Sequence, residues 1–197
     1  YPLFTVHNMR LIFPKENIHT ANTQLSQWAK QNKVVKLKNG LYALSSDYTK
    51  ESLAPGIIAA KLYDPSYISL QYALSLYGII PDAVFEITSV TTKPTRLFET
   101  PFGNFRYRKI KTTCFFGFIT TQHGLLTSYM ASPEKALVDF LYLNSNWLIP
   151  EHATWQELRL QNLDKVNFGI LKKFAKKFKR KKIMLLLHNL QTYATSH

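Results

Sequence analysis

Two short apolar runs, Val34-Val35-Lys36-Leu37 and Leu41-Tyr42-Ala43-Leu44, are separated only by Lys38-Asn39-Gly40. Asn-Gly supplies the turn chemistry of a tight hairpin, and β-branched and aromatic residues on either side favour extended backbone. The chain is therefore expected to double back here as a two-stranded ribbon. Just before it, Leu25, Trp28 and Ala29 fall at i, i+3 and i+4, which gives a helix one apolar face. Asn22, Thr23, Ser26, Gln27 and Lys30 occupy the other side, and each can hydrogen-bond a base edge or a phosphate.

A polar helix running straight into a basic hairpin is the layout of a winged helix-turn-helix, whose second helix enters the major groove while the wing touches the backbone. The charge balance agrees. With 25 Lys+Arg against 12 Asp+Glu, the formal charge of +13 calls for an anionic partner: nucleic acid first, an acidic protein surface second, an anionic membrane third. On these residues alone, a solvated amphipathic helix and hairpin with no partner stays open.

Upstream, Thr5 is placed to cap a short helix over Val6 to Phe13, with Met9, Ile12 and Phe13 facing inward, and Pro14 stops it. The next helix is expected from Thr20 or Asn22. Only two helices fit ahead of the hairpin, so a first helix would lie upstream of Tyr1 or be reduced to Tyr1-Pro2-Leu3-Phe4. Ser45 to Glu51 turns polar and marks a boundary between residues 1–47 and 48–197.

The larger part reads as α+β, a mostly antiparallel sheet packed by helices. Helices are expected over Ser52 to Leu62 and, capped by Asp64-Pro65-Ser66, over Tyr67 to Tyr77. Strands follow at Val84 to Thr92, Thr95 to Glu99, Phe105 to Ile110, Phe115 to Thr121 and Leu125 to Met130, in a meander. Strict alternation puts Arg106, Arg108 and Ile110 on one face. Ser132-Pro133-Glu134 is a strong helix start, with an N-cap serine, a first-turn proline and an acid at the positive end of the dipole. That helix runs to about Leu143 and turns Ala136, Leu137, Phe140 and Leu141 to the sheet. Further helices are expected at Trp155 to Leu160, Asn167 to Phe178 and Lys181 to Tyr193.

Lys172, Lys173, Lys176, Lys177, Lys179, Arg180, Lys181 and Lys182 place eight bases within eleven residues, and no acid follows Asp164. Ile170, Leu171, Phe174 and Phe178 form the matching apolar stripe. The block is either a docked helix with a solvated basic face or a contact for a partner or nucleic acid.

Several classes are disfavoured. A single cysteine, Cys114, rules out an intramolecular disulfide and a cysteine zinc site, and points to a reducing cytoplasm. No run approaches the roughly 18 apolar residues of a membrane span. The six histidines are scattered without metal-binding spacing, and there is no phosphate loop or G-x-S-x-G, so neither metal, cofactor nor catalytic residue is expected. Pro81-Asp82 followed by Glu134-Lys135 faintly resembles a metal-dependent nuclease, but the spacing is wrong and Glu134 is explained by the helix start.

Three segments in order, SYISLQYALSLYGIIPDAV from Ser66, TSVTTKPTRLFETPFGNFRYRKI from Thr88 and ASPEKALVDFLYL from Ala131, resemble the AbiEi antitoxin family of type IV toxin–antitoxin systems. VVKLKNGLYAL matches the wing that precedes this domain in the family, and the resemblance runs from about Phe4 to Phe178. It implies a non-enzymatic transcriptional regulator of a phage-defence, abortive-infection operon. An N-terminal winged helix would bind inverted repeats in double-stranded DNA upstream of its own operon. The C-terminal domain would counteract a nucleotidyltransferase-like toxin, with no membrane involved. Base reading would fall to Asn22, Thr23, Gln24, Ser26, Gln27 and Lys30, and backbone contact to Lys36, Lys38 and Asn39.

Overall fold

The computed structural model describes residues 2–49, 53–124 and 126–196. Ser52 and Leu125, expected to open a helix and a strand, lie outside them, as do Lys50 and Glu51 of the expected boundary. The chain opens with strand β1 (Leu3–Thr5), helices α1 (Val6–Ile12) and α2 (Ile18–Lys30), and hairpin strands β2 (Val34–Lys38) and β3 (Leu41–Leu44). The strands form one antiparallel sheet in the order β1-β3-β2. Gly40 turns the hairpin at a φ of 78°, a conformation open to glycine without a side-chain clash. The register shifts between Lys36 and Lys38, an irregularity in the β2–β3 ladder.

Thr5 caps α1 through a reciprocal pair: its hydroxyl accepts from the Asn8 amide at 3.3 Å, and its own amide donates to Asn8 Oδ1 at 2.8 Å. Three sequence expectations need correcting here. Ile12 and Phe13 do not turn inward but are 69% and 49% exposed: they are the last residue and the C-cap of α1, past Val6 and Met9, which make its contacts with the small core. Leu3 and Phe4 are no reduced helix; they pair with Ala43 and Tyr42 in β1. α2 starts at Ile18, earlier than expected, because the Asn17 side chain accepts from the amides of His19 and Thr20.

Alternation along these strands decides what each face meets. Phe4, Val34, Tyr42 and Leu44 pack with Val6, Met9, Ala21, Leu25, Trp28 and Ala29 of the two helices. Leu3, Leu37, Leu41 and Ala43 point the other way and join the core of the larger part. The small sheet is thus covered on both faces, as the unbroken apolar run Leu41 to Leu44 suggests.

The larger part comprises α3 (Pro55–Leu62), β4 (Ser66–Ile68), α4 (Leu70–Leu76), β5 (Ile87–Thr91), β6 (Arg96–Thr100), β7 (Gly103–Lys109), β8 (Phe118–His123), β9 (Leu126–Ala131), α5 (Pro133–Leu143), α6 (His152–Glu157), α7 (Phe168–Lys177) and α8 (Lys181–Thr195). It is a mixed α+β arrangement around a six-stranded sheet ordered β6-β7-β5-β4-β9-β8. The expected meander is incorrect. β5 runs parallel to β7, and β4 lies between β5 and β9, antiparallel to the first and parallel to the second. Ser66-Tyr67-Ile68 is the reason: all three are buried as a short central strand, and the helix begins only after Ser69. Ile110 also leaves the face expected for it, lying just past β7 at 2% exposure, whereas Arg106 pairs with Glu86 and Arg108 donates to the Leu143 carbonyl.

α5 is the pivot of this part, touching β9, α4, α7 and α8. Ser132 caps it by accepting from the Lys135 amide at 3.2 Å. Glu134 is 9% exposed and accepts from the Asn167 amide at 3.2 Å, so the first-turn acid also holds the start of α7.

Candidate nucleic-acid interface

Ala21 and Leu25 anchor α2, buried against Val6 and Tyr42. Trp28 is half-buried against the same cluster, a packing residue rather than a free stacking platform. This leaves Asn22, Thr23, Ser26, Gln27 and Lys30 exposed. They follow the i, i+4 and i+7 spacing of one helix side. Two hydroxyls are already committed as donors: Thr23 to the His19 carbonyl at 3.0 Å and Ser26 to the Asn22 carbonyl at 2.8 Å. Both keep lone pairs free for an N–H donor, while the Asn22 and Gln27 amides are available as paired donor and acceptor. Gln24 is placed differently. It is half-buried and lines an apolar groove with Met9, Phe13, Ala21 and Trp28.

The hairpin residues divide as well. Lys36 and Asn39 are exposed. The Lys38 ammonium donates to the Leu62 carbonyl at 2.6 Å, at the end of α3. Burial first, then the nearby Lys93 and Arg96 charges, lower its pKa, against a smaller opposing effect from Asp64. Lys38 therefore ties the hairpin to the larger part, and Lys36 is the hairpin cation left facing solvent.

All eight bases from Lys172 to Lys182 are exposed, over the outer side of α7, the connection and the start of α8. Leu171, Ala175 and Phe178 are buried beneath them, so the apolar stripe docks as expected, although Ile170 is 41% exposed. Two of the bases lean on aromatic rings: Lys177 Nζ lies 4.2 Å from the Phe116 centroid, and the Arg180 guanidinium 4.9 Å from that of Tyr142.

A further group escaped the sequence reading. Lys135 and Asp139, one turn apart on α5, form an ion pair with both side chains fully buried. Asp139 also accepts from the Tyr67 and Ser69 hydroxyls, each at 2.9 Å. The Lys135 ammonium lies 4.9 Å from the ring centroids of Phe116 and Phe178 and 5.3 Å from that of Tyr67. Burial pushes the Asp139 carboxyl up and the Lys135 ammonium down, and their mutual contact opposes both shifts. The available signal was the i, i+4 spacing of opposite charges inside Ala136-Leu137-Val138 and Phe140-Leu141, a helix apolar nearly all round.

Among the described residues no three His, Cys, Asp or Glu side chains gather as a metal site. Asp82 pairs with Arg159, and Glu134 with the backbone of Asn167, so each acid of the nuclease-like pattern has a structural partner. Among the same residues no helix is long and apolar enough to cross a membrane. The arrangement offers amides and hydroxyls for base edges and cations for phosphates. Comparison with protein-family models and with curated proteins finds no match to the chain.

Proposed function

We propose that this chain is a DNA-binding transcriptional autoregulator and an antitoxin of a type IV toxin–antitoxin system, without enzymatic activity or cofactor. Its N-terminal unit acts as a winged helix-turn-helix: α1 supports, α2 enters the major groove, and the β2–β3 hairpin is the wing. The observation that carries the reading is the solvent-facing row of Asn22, Thr23, Ser26, Gln27 and Lys30, followed at once by a hairpin presenting Lys36. A +13 chain that leaves such a row uncovered is suited to a polyanion whose edges can be read. The partners are double-stranded DNA carrying inverted repeats and a cognate nucleotidyltransferase-like toxin, both met in the cytoplasm.

The two tasks separate in the intact chain. Leu37, Leu41 and Ala43 belong to the common core, so removing residues 1–47 would uncover apolar surface. Asn22→Ala/Gln27→Ala is the cleaner tool. It should release repression of the chain's own promoter while leaving protection against the co-expressed toxin intact. Loss of protection in step with repression would mean that repression is itself the protective act.

A second reading is favoured by the uncovered bases of α7 and α8: an RNA or protein interaction module working through Lys172 to Lys182. Lys172→Ala/Lys173→Ala/Lys176→Ala would then abolish partner binding, and Asn22→Ala/Gln27→Ala would not.

A further inference from the structure

A sheet edge exposes a row of unpaired backbone N–H and C=O groups that will accept any strand that fits. Folded proteins guard such edges with charge, proline, bulges or brevity. Among the described residues three of the four edges are guarded. β1 is three residues long, β2 carries Lys36 and Lys38 around a register shift, and β6 carries Arg96 and Glu99 between Pro94 and Pro101. β8 has none of these devices. Its sequence FITTQH holds no lysine, arginine, acid or proline, and it pairs with β9 without a register shift from Phe118–Ala131 to His123–Leu126. Thr120 to His123 are exposed, and Ile119 is 53% exposed.

The strand lies within residues 112–133, 22 consecutive residues without Lys, Arg, Asp or Glu in a chain of 25 bases and 12 acids. A second copy of this chain carries the same net charge of +13, so an association between copies favours a strand that carries no charge of its own. This strand itself brings no charge to the contact, and the copy brings an equally unguarded strand of its own. Antiparallel pairing of β8 with itself about a two-fold axis at Thr120 is self-complementary. Thr120 meets its own counterpart, Ile119 meets Thr121, and Phe118 meets Gln122, with no like charges opposed. Paired residues always share parity in this register, as the alternating hydrogen bonds of an antiparallel ladder require.

We propose that β8 is a self-association edge through which two copies of this chain join their six-stranded sheets into one. A contact built on a six-residue strand is small, so the dimer forms in a concentration-dependent way.

Sedimentation of the full chain across a range of concentrations, without DNA, tests this. Wild type should rise from 22.8 kDa toward twice that mass. Thr120→Lys and Thr120→Glu each place like charges opposite one another and should weaken association by up to about fivefold. An equimolar mixture of the two variants should restore it, because opposite charges then meet. Amide exchange on wild type gives a readout that needs no variant: residues 118–123 should gain protection as concentration rises. A wild-type mass fixed at 22.8 kDa, including the case where the edge takes only some other extended segment, overturns the proposal. So does association that neither charge variant alters, or protection in β8 that ignores concentration. Since no DNA is present, none of these outcomes bears on whether α2 reads an operator.

Discussion

Replacing Lys135 by methionine is the sharpest test of how the larger part is held together. The ammonium is the only charged partner of Asp139 among the described residues, and both side chains are fully buried. Without it the carboxylate keeps two neutral donors, the Tyr67 and Ser69 hydroxyls at 2.9 Å. Removing one partner of a buried ion pair costs about 3–5 kcal/mol. That is a large share of the roughly 5–15 kcal/mol that stabilises a typical domain. With a urea slope of about 2 kcal/mol/M, the unfolding midpoint should fall by about 2 M. Tryptophan fluorescence provides the assay: Trp155, one of three tryptophans, is buried and donates to Asn189 Oδ1. In the variant the Asp139 pKa is raised in the fold relative to the unfolded chain, so the folded state favours the protonated acid. The penalty is therefore small at acidic pH and grows as pH rises through the window between the unfolded and folded values. Lys135→Met/Asp139→Asn removes the stranded charge while keeping an acceptor for Tyr67 and Ser69, and should recover most of the stability. A cost below about 1 kcal/mol for the single variant, or a double variant no better than the single, would refute this reasoning.

Three other predictions rest on separate observations. Gly117 has a φ of 76°, and an added Cβ would lie 3.1 Å from Lys135 Cγ and Cδ and 3.2 Å from a Phe174 ring carbon. Gly124, at a φ of 62°, has open space around it, so Gly117→Ala should lower the melting temperature clearly more than Gly124→Ala. Equal melting temperatures would show that the crowding at Gly117 is absent. Burial raises the pKa values of Tyr67, Tyr72, Tyr77 and Tyr107, aided at Tyr67 by Asp139 and at Tyr77 by Glu134. Raised phenol pKa values contribute stability that is complete below about pH 10 and is lost as pH climbs beyond it. Ultraviolet titration should accordingly show Tyr67 and Tyr107, both fully buried, ionising only as the chain unfolds, rather than all 11 tyrosines together. Lys38→Met should lower thermal stability by removing the hydrogen bond to Leu62, whereas Lys36→Ala should leave the melt unchanged and weaken DNA binding. Matched effects of the two on melting would contradict the division between Lys36 and Lys38.

Local signals carried much of this fold. Asn39-Gly40 made the hairpin, Ser132-Pro133 opened α5 where expected, and Thr5 capped α1, because each element depends on chemistry within a few residues of itself. What failed was non-local. Ser66-Tyr67-Ile68 looks like a helix start after Asp64-Pro65, and only pairing with β5 and β9 makes it a strand. The parallel pairing of β5 with β7 depends on chain crossovers that strand periodicity does not encode. The polar side of α2 was legible in helical spacing, yet the split between Lys36 and Lys38 was not, since Lys38 is drawn in by a carbonyl 24 residues away. The exposure of Ile12 and Phe13 was likewise invisible to a periodic reading that assigns every apolar residue to a core.

The central claim is that α2 and the wing read DNA. Fluorescence anisotropy of the intact chain on duplex DNA from upstream of its own gene, across a salt series, tests it most directly. Binding should exceed that to scrambled DNA. Lys36→Ala should weaken both and flatten the salt slope by about one unit. Asn22→Ala or Gln27→Ala should instead erase the preference, each removing about 1–3 kcal/mol of discrimination between bases. Equal binding to upstream and scrambled DNA, indifferent to salt and to all three substitutions, would contradict the account.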